Sequence, residues 1–542
     1  MSKEILNNKE RIIQRASLRA SGMDCGDIEK PIIGVLFSQE CDKDALQRLQ
    51  VGIFEGGGTP TLMGLPTVDT THAFCANAEL YGMPYRELVA DTVETLMATS
   101  SLDGFVLVSR EPMTLAGMCI GAVRVNMPCI FLNGGIQNAP TSLMQVALDY
   151  AKNKGNTLDM EQLAQTEHSA SVGDNTLANN ALGAVLEVLG LALPGGGLAT
   201  KNTPAHGSIA RKTGQTLIDL VKNDIRPKML LTKASLSNAF AFLSALSLST
   251  DCVTHLLALC IESGLDKVSL DSLKNLSEKT PTLLRPFDTT PLLVSAFAKS
   301  GGTMAVLQEL SRIGVIDGSA STVMGPLQTW YDQSKLGADG VVSSSQNPLL
   351  PCGGLDVLYG NLATDGALYN RKEHLQKPAP QSYKAKVFDT LESATSALLL
   401  GKITAGDALV VRYQGPLGAP GMRSVSTLQH LMVGLGLSKS VALLTDGRAT
   451  QNYDGLCICA ISPEAALENA TLCAVRDGDK ITFDSCKSKL ELDIVAKELH
   501  NRLKKTDSKD LVTTGFLGKY TLAVQQAHKG ATTKIQGRKS KW

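Results

Sequence analysis

The chain has 542 residues, of which 43% are hydrophobic, and its 52 Lys and Arg residues balance 52 Asp and Glu residues. This length predicts about two to four domains, and the balanced charge excludes the electrostatic attraction that nucleic acid or an anionic membrane would require. Because no apolar run reaches the roughly 20 residues of a membrane helix, we expect a cytoplasmic protein with reduced cysteines and with no nucleic-acid or membrane partner.

The first two-thirds of the chain alternates short apolar runs with amphipathic stretches. The runs at residues 31–37, 103–109 and 128–135 predict strands, and the segments after them place apolar residues three and four positions apart. This alternation is typical of a parallel sheet that helices cover on both faces. From 201 to about 330 the sequence is mostly helical, which predicts helices added around that sheet.

A polar stretch at residues 371–385 separates two parts of the chain. It contains Pro378 and Pro380, which interrupt regular structure, and it is the best candidate for a linker. The segments beyond it are short, partly alternating and bounded by Gly, Asp and Pro, as β-strands are. The sequence therefore predicts an N-terminal α/β domain at 1–370, a linker at 371–385 and a C-terminal β-rich domain at 386–542.

A glycine-rich loop follows a predicted strand of the second domain. Residues 415–423 read GPLGAPGMR, with three glycines and two prolines, and such a loop can turn successive backbone N–H groups toward an anion. Gly418 and Gly421 would let a carboxylate or phosphate approach closely. A tight connection without a ligand is the alternative, since the loop lacks the ending of a nucleotide-binding P-loop.

Acidic residues mark two positions of the first domain. Asp69 and His72, with Glu79 further on, are the densest group of possible metal ligands, although a polar loop that caps a helix would use the same residues. Glu111 ends a predicted strand, where α/β proteins place their chemistry, but an acid there also stabilises a helix N-terminus. The cysteines, such as Cys119, lie among apolar residues without zinc-site spacing, so we expect buried thiols.

Four strings of residues resemble the dihydroxy-acid dehydratase and phosphogluconate dehydratase family. They are GGLDVLYGNLATDGA at 353–367, GDALVVRYQGPLGAPGMR at 406–423, ALLTDGR at 442–448 and ISPEAA at 461–466. The resemblance covers almost the whole chain. It implies a doubly wound N-terminal α/β domain with added helices, a C-terminal β-rich barrel-like domain, a site in the cleft between them and a homodimer. It also implies the elimination of water from a 2,3-dihydroxy acid or an aldonic acid, which gives a 2-oxo acid.

The resemblance further implies an iron–sulfur cluster on three cysteines, and equal spacing indicates what stands at those positions here. Ser38 takes the place of the first cysteine, with Cys41 nearby, Glu111 takes the place of the second, and the third falls near Gly173. The magnesium ligand and the lysine that follow the second cysteine in the family are also replaced. One cysteine cannot hold a cluster, so we expect a site without one.

The second domain carries further replacements of the residues that the resemblance implies. Ser424 stands where the family has a magnesium-binding glutamate, Thr450 stands where it has the catalytic serine, and Ala460 replaces a histidine. Asp69 is the one metal ligand that is retained, so the site could still hold Mg²⁺.

The sequence favours a divergent member of this hydro-lyase family that acts on, or binds, a small polar hydroxy acid or sugar acid. The residues expected to bind the small-molecule carboxylate are Ser38, Ser424, Arg423, Arg448, Gly418 and Gly421. Glu111 would serve as acid or base and Thr450 as the hydroxyl group, in a proton transfer that needs no cluster. One alternative is an inactive dimeric scaffold or small-molecule sensor, and another is a cluster on relocated cysteines such as Cys41 and Cys75.

Overall fold

The structure is a computed structural model, and it describes residues 9–20, 22, 26, 29–68, 79–136, 175–284, 292–371, 380–449, 453–504, 511–512 and 514–534. It consists of an α/β N-terminal region followed by a closed β-barrel. These two parts confirm the predicted fold class.

The N-terminal region is built on a four-stranded parallel sheet. Its strands are β1 (Ile32–Ser38), β2 (Thr59–Leu65), β3 (Gly104–Ser109) and β4 (Cys129–Asn133), in the order β2-β1-β3-β4. The three strands β1, β3 and β4 are almost wholly buried and coincide with the predicted strands. The edge strand β2 is partly exposed and contains Pro60 and Gly64, so it lacks the continuous apolar run by which a buried strand is recognised.

Helices cover this sheet and extend beyond it. The first four are α1 (Lys9–Ala20), α2 (Lys43–Gly56), α3 (Gly82–Thr99) and α4 (Pro112–Val125). The described helices that follow are α5 (Ala181–Val188), α6 (Pro204–Lys222), α7 (Pro227–Leu230), α8 (Lys233–Ala245), α9 (Thr250–Glu262), α10 (Leu270–Ser277), α11 (Val294–Lys299), α12 (Gly302–Arg312) and α13 (Gln328–Tyr331). A two-stranded ribbon, β5 (Ser321–Thr322) and β6 (Gly325–Pro326), lies before α13. In the described ranges, no helix has the length and apolar character needed to cross a membrane.

Two pairs of helices pack closely because glycines face the neighbouring backbone. A side chain on Gly52 of α2 would lie 1.9 Å from the Arg211 carbonyl oxygen of α6, and one on Gly117 of α4 would lie 2.4 Å from the Arg86 carbonyl oxygen of α3. Only a residue without Cβ permits such an approach. The contact of Gly117 holds α3 against α4, and the position of α3 matters for the site.

The C-terminal region is a closed barrel of eight strands. The strands are β7 (Leu355–Gly360), β8 (Ala363–Asn370), β9 (Gln381–Phe388), β10 (Asp407–Val411), β11 (Ala442–Thr445), β12 (Cys457–Ser462), β13 (Lys480–Asp484) and β14 (Lys489–Leu492). They close in the order β10-β11-β12-β8-β7-β14-β13-β9. The helices described in this region are α14 (Leu391–Leu399), α15 (Ser426–Gly434), α16 (Thr471–Ala474), α17 (Ala496–Leu503) and α18 (Gly515–Ala523), with a 3₁₀ helix at Ala527–Lys529.

The barrel begins earlier than the predicted domain boundary. The hairpin of β7 and β8 lies before residue 371, yet β7 pairs with β14 and β8 pairs with β12 inside the barrel. The predicted linker at 371–385 therefore separates two strands of one barrel instead of two domains. The physical reason is that a barrel closes only when its first hairpin joins strands that come much later in the chain, and no local pattern records that pairing.

Glu187 of α5 is a buried carboxyl group whose protonation depends on the fold. Its Oε1 accepts a hydrogen bond from the Gly197 backbone N–H at 2.9 Å. Burial raises the pKa of Glu187 to about 7, and the backbone N–H groups of Gly195 and Gly197 oppose the rise. In the unfolded chain a glutamate ionises near pH 4.5, so the folded protein holds one extra proton between about pH 4.5 and 7.

We expect this proton to make the protein less stable as pH rises through that window. The free energy of unfolding should fall by on the order of 2–3 kcal/mol between pH 4.5 and 7, because only the folded state must release a proton from a buried site. Glu187→Gln should remove that part of the pH dependence, whereas the exposed Glu278→Gln should leave it intact. The midpoint of urea unfolding, measured at several pH values from 4.5 to 7, tests this expectation. If the midpoint changes with pH equally in wild type and in Glu187→Gln, the prediction is contradicted.

Candidate functional site

The carboxyl ends of β1 and β3 meet at one edge of the sheet. Ser38 is fully buried there, and its Oγ lies 3.1 Å from Ser109 Oγ and 3.2 Å from Cys41 Sγ. The Cys41 thiol also donates to the Val108 carbonyl oxygen at 3.4 Å. Burial raises the pKa of Cys41 to about 12, so this thiol, as it stands beside Ser38, is protonated at neutral pH.

Glu111 follows β3 and is the N-cap of α4. Its Oε2 accepts hydrogen bonds from the Thr114 backbone N–H at 2.5 Å and from the Thr114 hydroxyl at 2.7 Å. Tyr85 Oη lies 3.2 Å from the same hydroxyl. The carboxylate therefore satisfies the first turn of a helix, which is the role that its sequence position allowed as an alternative to chemistry.

A buried contact between a histidine and an aspartate, which sequence reasoning missed, supports this edge of the sheet. His206 Nδ1 lies 3.1 Å from Asp42 Oδ2, and His206 Nε2 lies 3.0 Å from the Asn133 carbonyl oxygen. Each ring nitrogen therefore faces an acceptor oxygen, and the imidazole connects the loop after β1 to the end of β4. His206 and Asp42 are 164 residues apart in the sequence, so no local spacing predicts their contact. It holds the loop that carries Cys41.

The loops that follow β10 and β11 lie side by side in the barrel domain. The Arg448 backbone N–H donates to the Arg423 carbonyl oxygen at 2.9 Å, and the Val425 N–H donates to the Arg448 carbonyl oxygen at 2.8 Å. Met422 has a φ of 48° and Ala460, on β12, has a φ of 51°. Left-handed backbone at non-glycine residues costs energy and is concentrated at functional sites, so these loops are the part of the barrel where function is expected.

Glu79 of the N-terminal region reaches these loops. Its Oε2 accepts a hydrogen bond from the Ser424 backbone N–H at 3.2 Å and lies 4.0 Å from Arg423 Nε. Burial raises the pKa of Glu79, and the positive charges of Arg448 and Arg423 oppose the rise. Sequence reasoning grouped Glu79 with possible metal ligands, whereas its described contacts tie it to the arginines of the second domain.

Internal acceptors hold both arginines. Arg448 donates through Nε to the Met422 carbonyl oxygen at 2.6 Å and through Nη1 to Asp251 Oδ2 at 2.8 Å. Arg423 donates through Nη2 to Glu392 Oε1 at 2.8 Å. Asp251 lies in the first turn of α9, and an acid there has a sufficient local explanation in the helix dipole. Its contact with the second domain was therefore missed.

The glycine-rich loop already contacts a carboxyl group, that of a glutamate of the same chain. Gly418 and Leu417 donate their backbone N–H groups to Glu464 Oε2 at 2.8 and 3.0 Å, and Gln526 Nε2 donates to Glu464 Oε1 at 2.5 Å. Burial raises the pKa of Glu464 to about 8, and the neighbouring Asp446 adds to the rise. The Gly418 N–H is thus engaged internally, and a ligand at Gly418 would have to displace this carboxylate.

Gly421 brings the backbones of the two domains into contact. Its carbonyl oxygen accepts a hydrogen bond from the Met83 N–H, in the first turn of α3, at 3.4 Å. A side chain at Gly421 would lie 2.0 Å from the Glu79 carbonyl oxygen and 2.5 Å from Leu80 Cα. The domain junction itself therefore requires a glycine here.

The N-terminal end of α3 contacts both groups of predicted residues. Gly421, Arg423, Ser424 and Arg448 lie together around Glu79, just before α3 begins. Ser38 and Glu111 belong to the sheet edge instead, and Glu111 is connected to α3 through Thr114 and Tyr85. The structure thus places Gly421, Arg423, Ser424 and Arg448 near one another, and α3 connects them to the sheet edge.

Several residues named in the sequence analysis lie outside the described residues, namely Asp69, His72, Cys75, Gly173 and Thr450. Within the described ranges, no three His, Cys, Asp or Glu side chains are grouped so that they could hold a metal ion. Residues 137–174 contain no cysteine, so that stretch cannot supply a third thiolate. Among the described residues of the sheet edge, one thiol, that of Cys41, beside the hydroxyl of Ser38 does not make up the three thiolates of an iron–sulfur cluster.

Comparison with known proteins identifies the family. Residues 32–331 match the dihydroxy-acid/6-phosphogluconate dehydratase N-terminal family, and residues 340–531 match its C-terminal counterpart. The dihydroxy-acid dehydratase of Acetivibrio thermocellus is 33% identical over 542 residues, which cover 96% of this chain and 97% of that protein. The dihydroxy-acid dehydratase of Aquifex aeolicus is 31% identical over 550 residues, which cover 98% of this chain and 99% of that protein. The chain therefore belongs to the dihydroxy-acid/6-phosphogluconate dehydratase family.

Proposed function

We propose that this protein binds a small polar hydroxy acid or sugar acid in the cleft between its domains, and acts on it without an iron–sulfur cluster. The observation that carries the proposal is the meeting of Arg423, Arg448 and the Ser424 backbone N–H at the domain junction. Guanidinium groups and a backbone donor are what a ligand carboxylate requires. The relatives are named for dihydroxy acids, which supports a hydroxy acid as the ligand.

The chemistry that we propose begins with removal of the proton at C2, the carbon next to the carboxylate. The C3–O bond then breaks, the 3-hydroxyl takes up a proton and leaves as water, and the enol that remains becomes a 2-oxo acid. The C2 proton is weakly acidic, and neutralisation of the carboxylate by Arg423 and Arg448 would make its removal easier. Glu111 is the proposed acid or base, Thr450 is the proposed hydroxyl group, and Ser38 is a proposed ligand contact. Asp69 is the proposed ligand for Mg²⁺, if the ion binds, since Ser424 cannot replace the carboxylate that the family uses there.

A second candidate function is ligand binding without turnover, as in a dimeric scaffold or a small-molecule sensor. The contacts of Glu111 favour it, because both described hydrogen bonds of its Oε2 cap α4 and serve the fold. The hydrogen bond from Arg448 to Asp251 favours it too, because this bond also serves the fold. Either function fits a cytoplasmic homodimer, which we propose from the family resemblance; light scattering that gives the mass of one chain would contradict the dimer.

Calorimetry and product detection on the full-length protein distinguish these functions. D-Glycerate and D-gluconate serve as probes, and glycerol serves as a neutral control. Binding of an acid with formation of a 2-oxo acid supports the enzyme, and binding without product supports the scaffold or sensor. If neither acid binds, the proposal of a hydroxy-acid site is wrong.

We predict that protein purified without air contains neither iron nor acid-labile sulfide and shows no visible absorption. The reason is the donor set at the sheet edge, where the buried thiol of Cys41 lies beside the hydroxyl of Ser38 and not beside further thiols of the described residues. Iodoacetamide at neutral pH should modify the exposed Cys486 while Cys41 stays unmodified, as read by peptide mass spectrometry. Iron and sulfide at cluster stoichiometry would contradict the prediction and favour relocated cysteine ligands.

A further inference from the structure

Glu79 is the buried carboxyl group that faces Arg423 and Arg448 at the proposed carboxylate site. It precedes α3 and its side chain is only 10% exposed. Its Oε2 accepts from the Ser424 N–H at 3.2 Å but stops 4.0 Å from Arg423 Nε. This is within ion-pair reach and beyond hydrogen-bond length.

Arg423 has a buried donor that this arrangement leaves unused. Its Nη2 donates to the exposed Glu392, while its Nε is buried and, within the part of the chain that the structure describes, has no hydrogen-bond partner. A buried N–H without an acceptor costs free energy, so its presence requires an explanation. An acceptor closer than Glu79 would satisfy it, and a ligand carboxylate is such an acceptor.

The charges at the junction limit how a second carboxylate can enter. Arg423 and Arg448 face Glu79, Asp251 and Glu392, so two positive charges are already matched by three negative ones. A ligand carboxylate would add a fourth negative charge, and like charges in a buried site disfavour one another's ionised form. One of the carboxyl groups present must therefore become neutral when the ligand binds.

Glu79 is the group best placed to do so. Glu392 is 56% exposed and Asp251 is 26% exposed, so water stabilises both as anions better than it does Glu79. The charged groups that face Glu79 are Arg423 from the loop after β10, Arg448 from the loop after β11 and Asp251 from α9. Burial, the largest influence on Glu79, already favours its neutral form.

We propose that a ligand carboxylate replaces Glu79 at Arg423, and that Glu79 takes up one proton from solvent as the ligand binds. This inference rests on the proposed function and specifies how the site selects its ligand. When a monoanionic hydroxy acid binds at Arg423, Glu79 takes up a proton. The O–H group of the neutral Glu79 can then donate a hydrogen bond to the acid. A neutral polyol gains nothing from the exchange, so the site selects for acids.

Isothermal titration of the full-length protein with D-gluconate or D-glycerate tests the proposal. Titration at one pH in two buffers of different ionisation enthalpy gives the number of protons exchanged. We expect wild type to take up about one proton per bound ligand, and its affinity to fall by up to roughly tenfold per pH unit above the pKa of Glu79. Glu79→Gln should bind with no proton uptake and with an affinity that does not change with pH.

Glu392→Gln is the matched control, because it also removes a carboxylate from Arg423 but on the exposed side. It should retain the proton uptake of wild type. Binding by wild type without proton uptake, or uptake that persists in Glu79→Gln, would overturn this inference and leave the carboxylate site standing. Binding of neither acid by any of the proteins would remove the proposed function and this inference with it. If a variant does not fold, the proton uptake of wild type, measured in the two buffers, still tests this inference.

Discussion

Replacement of Arg86 by methionine is expected to lower the free energy of unfolding by about 3–5 kcal/mol, because it breaks a fully buried ion pair and leaves several acceptors unpaired. Arg86 Nη2 donates to Glu87 Oε1 at 2.7 Å and to the carbonyl oxygens of Gly530 and Ala531 at 2.9 and 2.8 Å. Its Nη1 lies 3.3 Å from His255 Nδ1. Urea unfolding at pH 7 measures the effect.

The neighbours of Arg86 explain why the loss cannot be repaired locally. Burial and the charge of Arg86 lower the pKa of His255 far below its usual range, so this histidine is a neutral acceptor at Nδ1. Burial alone would raise the pKa of Glu87, but Arg86 and Arg124 outweigh it and hold that pKa below the ordinary value. Arg86→Met leaves a buried anion with less positive charge and a histidine without its donor.

Arg211→Met is the matched control for this substitution. Arg211 pairs with Glu55 on an exposed surface, where solvent screens the charges, so only a small shift of the midpoint is expected. Arg86→Lys should recover part of the stability, since it keeps the charge but cannot reproduce the several directed bonds of a guanidinium group. A midpoint for Arg86→Met equal to that of Arg211→Met would show that the network is unimportant.

The predictability of the fold from the sequence differed between its two halves. The strands β1, β3 and β4 are buried on both faces, and such strands appear as continuous apolar runs. The edge strand β2 is not, and it was missed. The barrel was expected from its resemblance to a family, but its first hairpin, β7 and β8, was assigned to the wrong side of the boundary. β8 pairs with β12, which lies far away in the sequence, and local periodicity does not predict such a pairing.

The site was predictable in its composition and less so in its contacts. Arg423, Ser424 and Arg448 were named from their motifs, and their backbones lie side by side; their role in binding stays a prediction. The partners Asp251 and Glu464 were not anticipated in these roles, because each lies far away in sequence from the group that it binds. Glu111 shows a different limit. Its position after a strand permits both chemistry and helix capping, and only the contacts with Thr114 favour capping.

Substitution of Gly421 by alanine is expected to separate the two domains at a close backbone contact, with a loss of stability of about 3 kcal/mol or more. The added methyl would lie 2.0 Å from the Glu79 carbonyl oxygen and 2.5 Å from Leu80 Cα. Both obstacles are backbone atoms, which cannot rotate away as a flexible side chain can. The 415–423 loop or the segment before α3 must therefore move.

That movement should also abolish the binding of D-gluconate, because it displaces Arg423 and Ser424, two of the proposed ligand contacts. Gly64→Ala on the edge strand β2 is the control: its nearest neighbour, Phe37 Cζ, would lie 3.8 Å from the new methyl, which is an ordinary contact. Calorimetry and urea unfolding on both variants give a joint readout. If Gly421→Ala keeps wild-type affinity and midpoint, the junction adapts easily and the ligand does not depend on this contact. If it loses affinity more than stability, the spacing between the domains is itself part of the binding site.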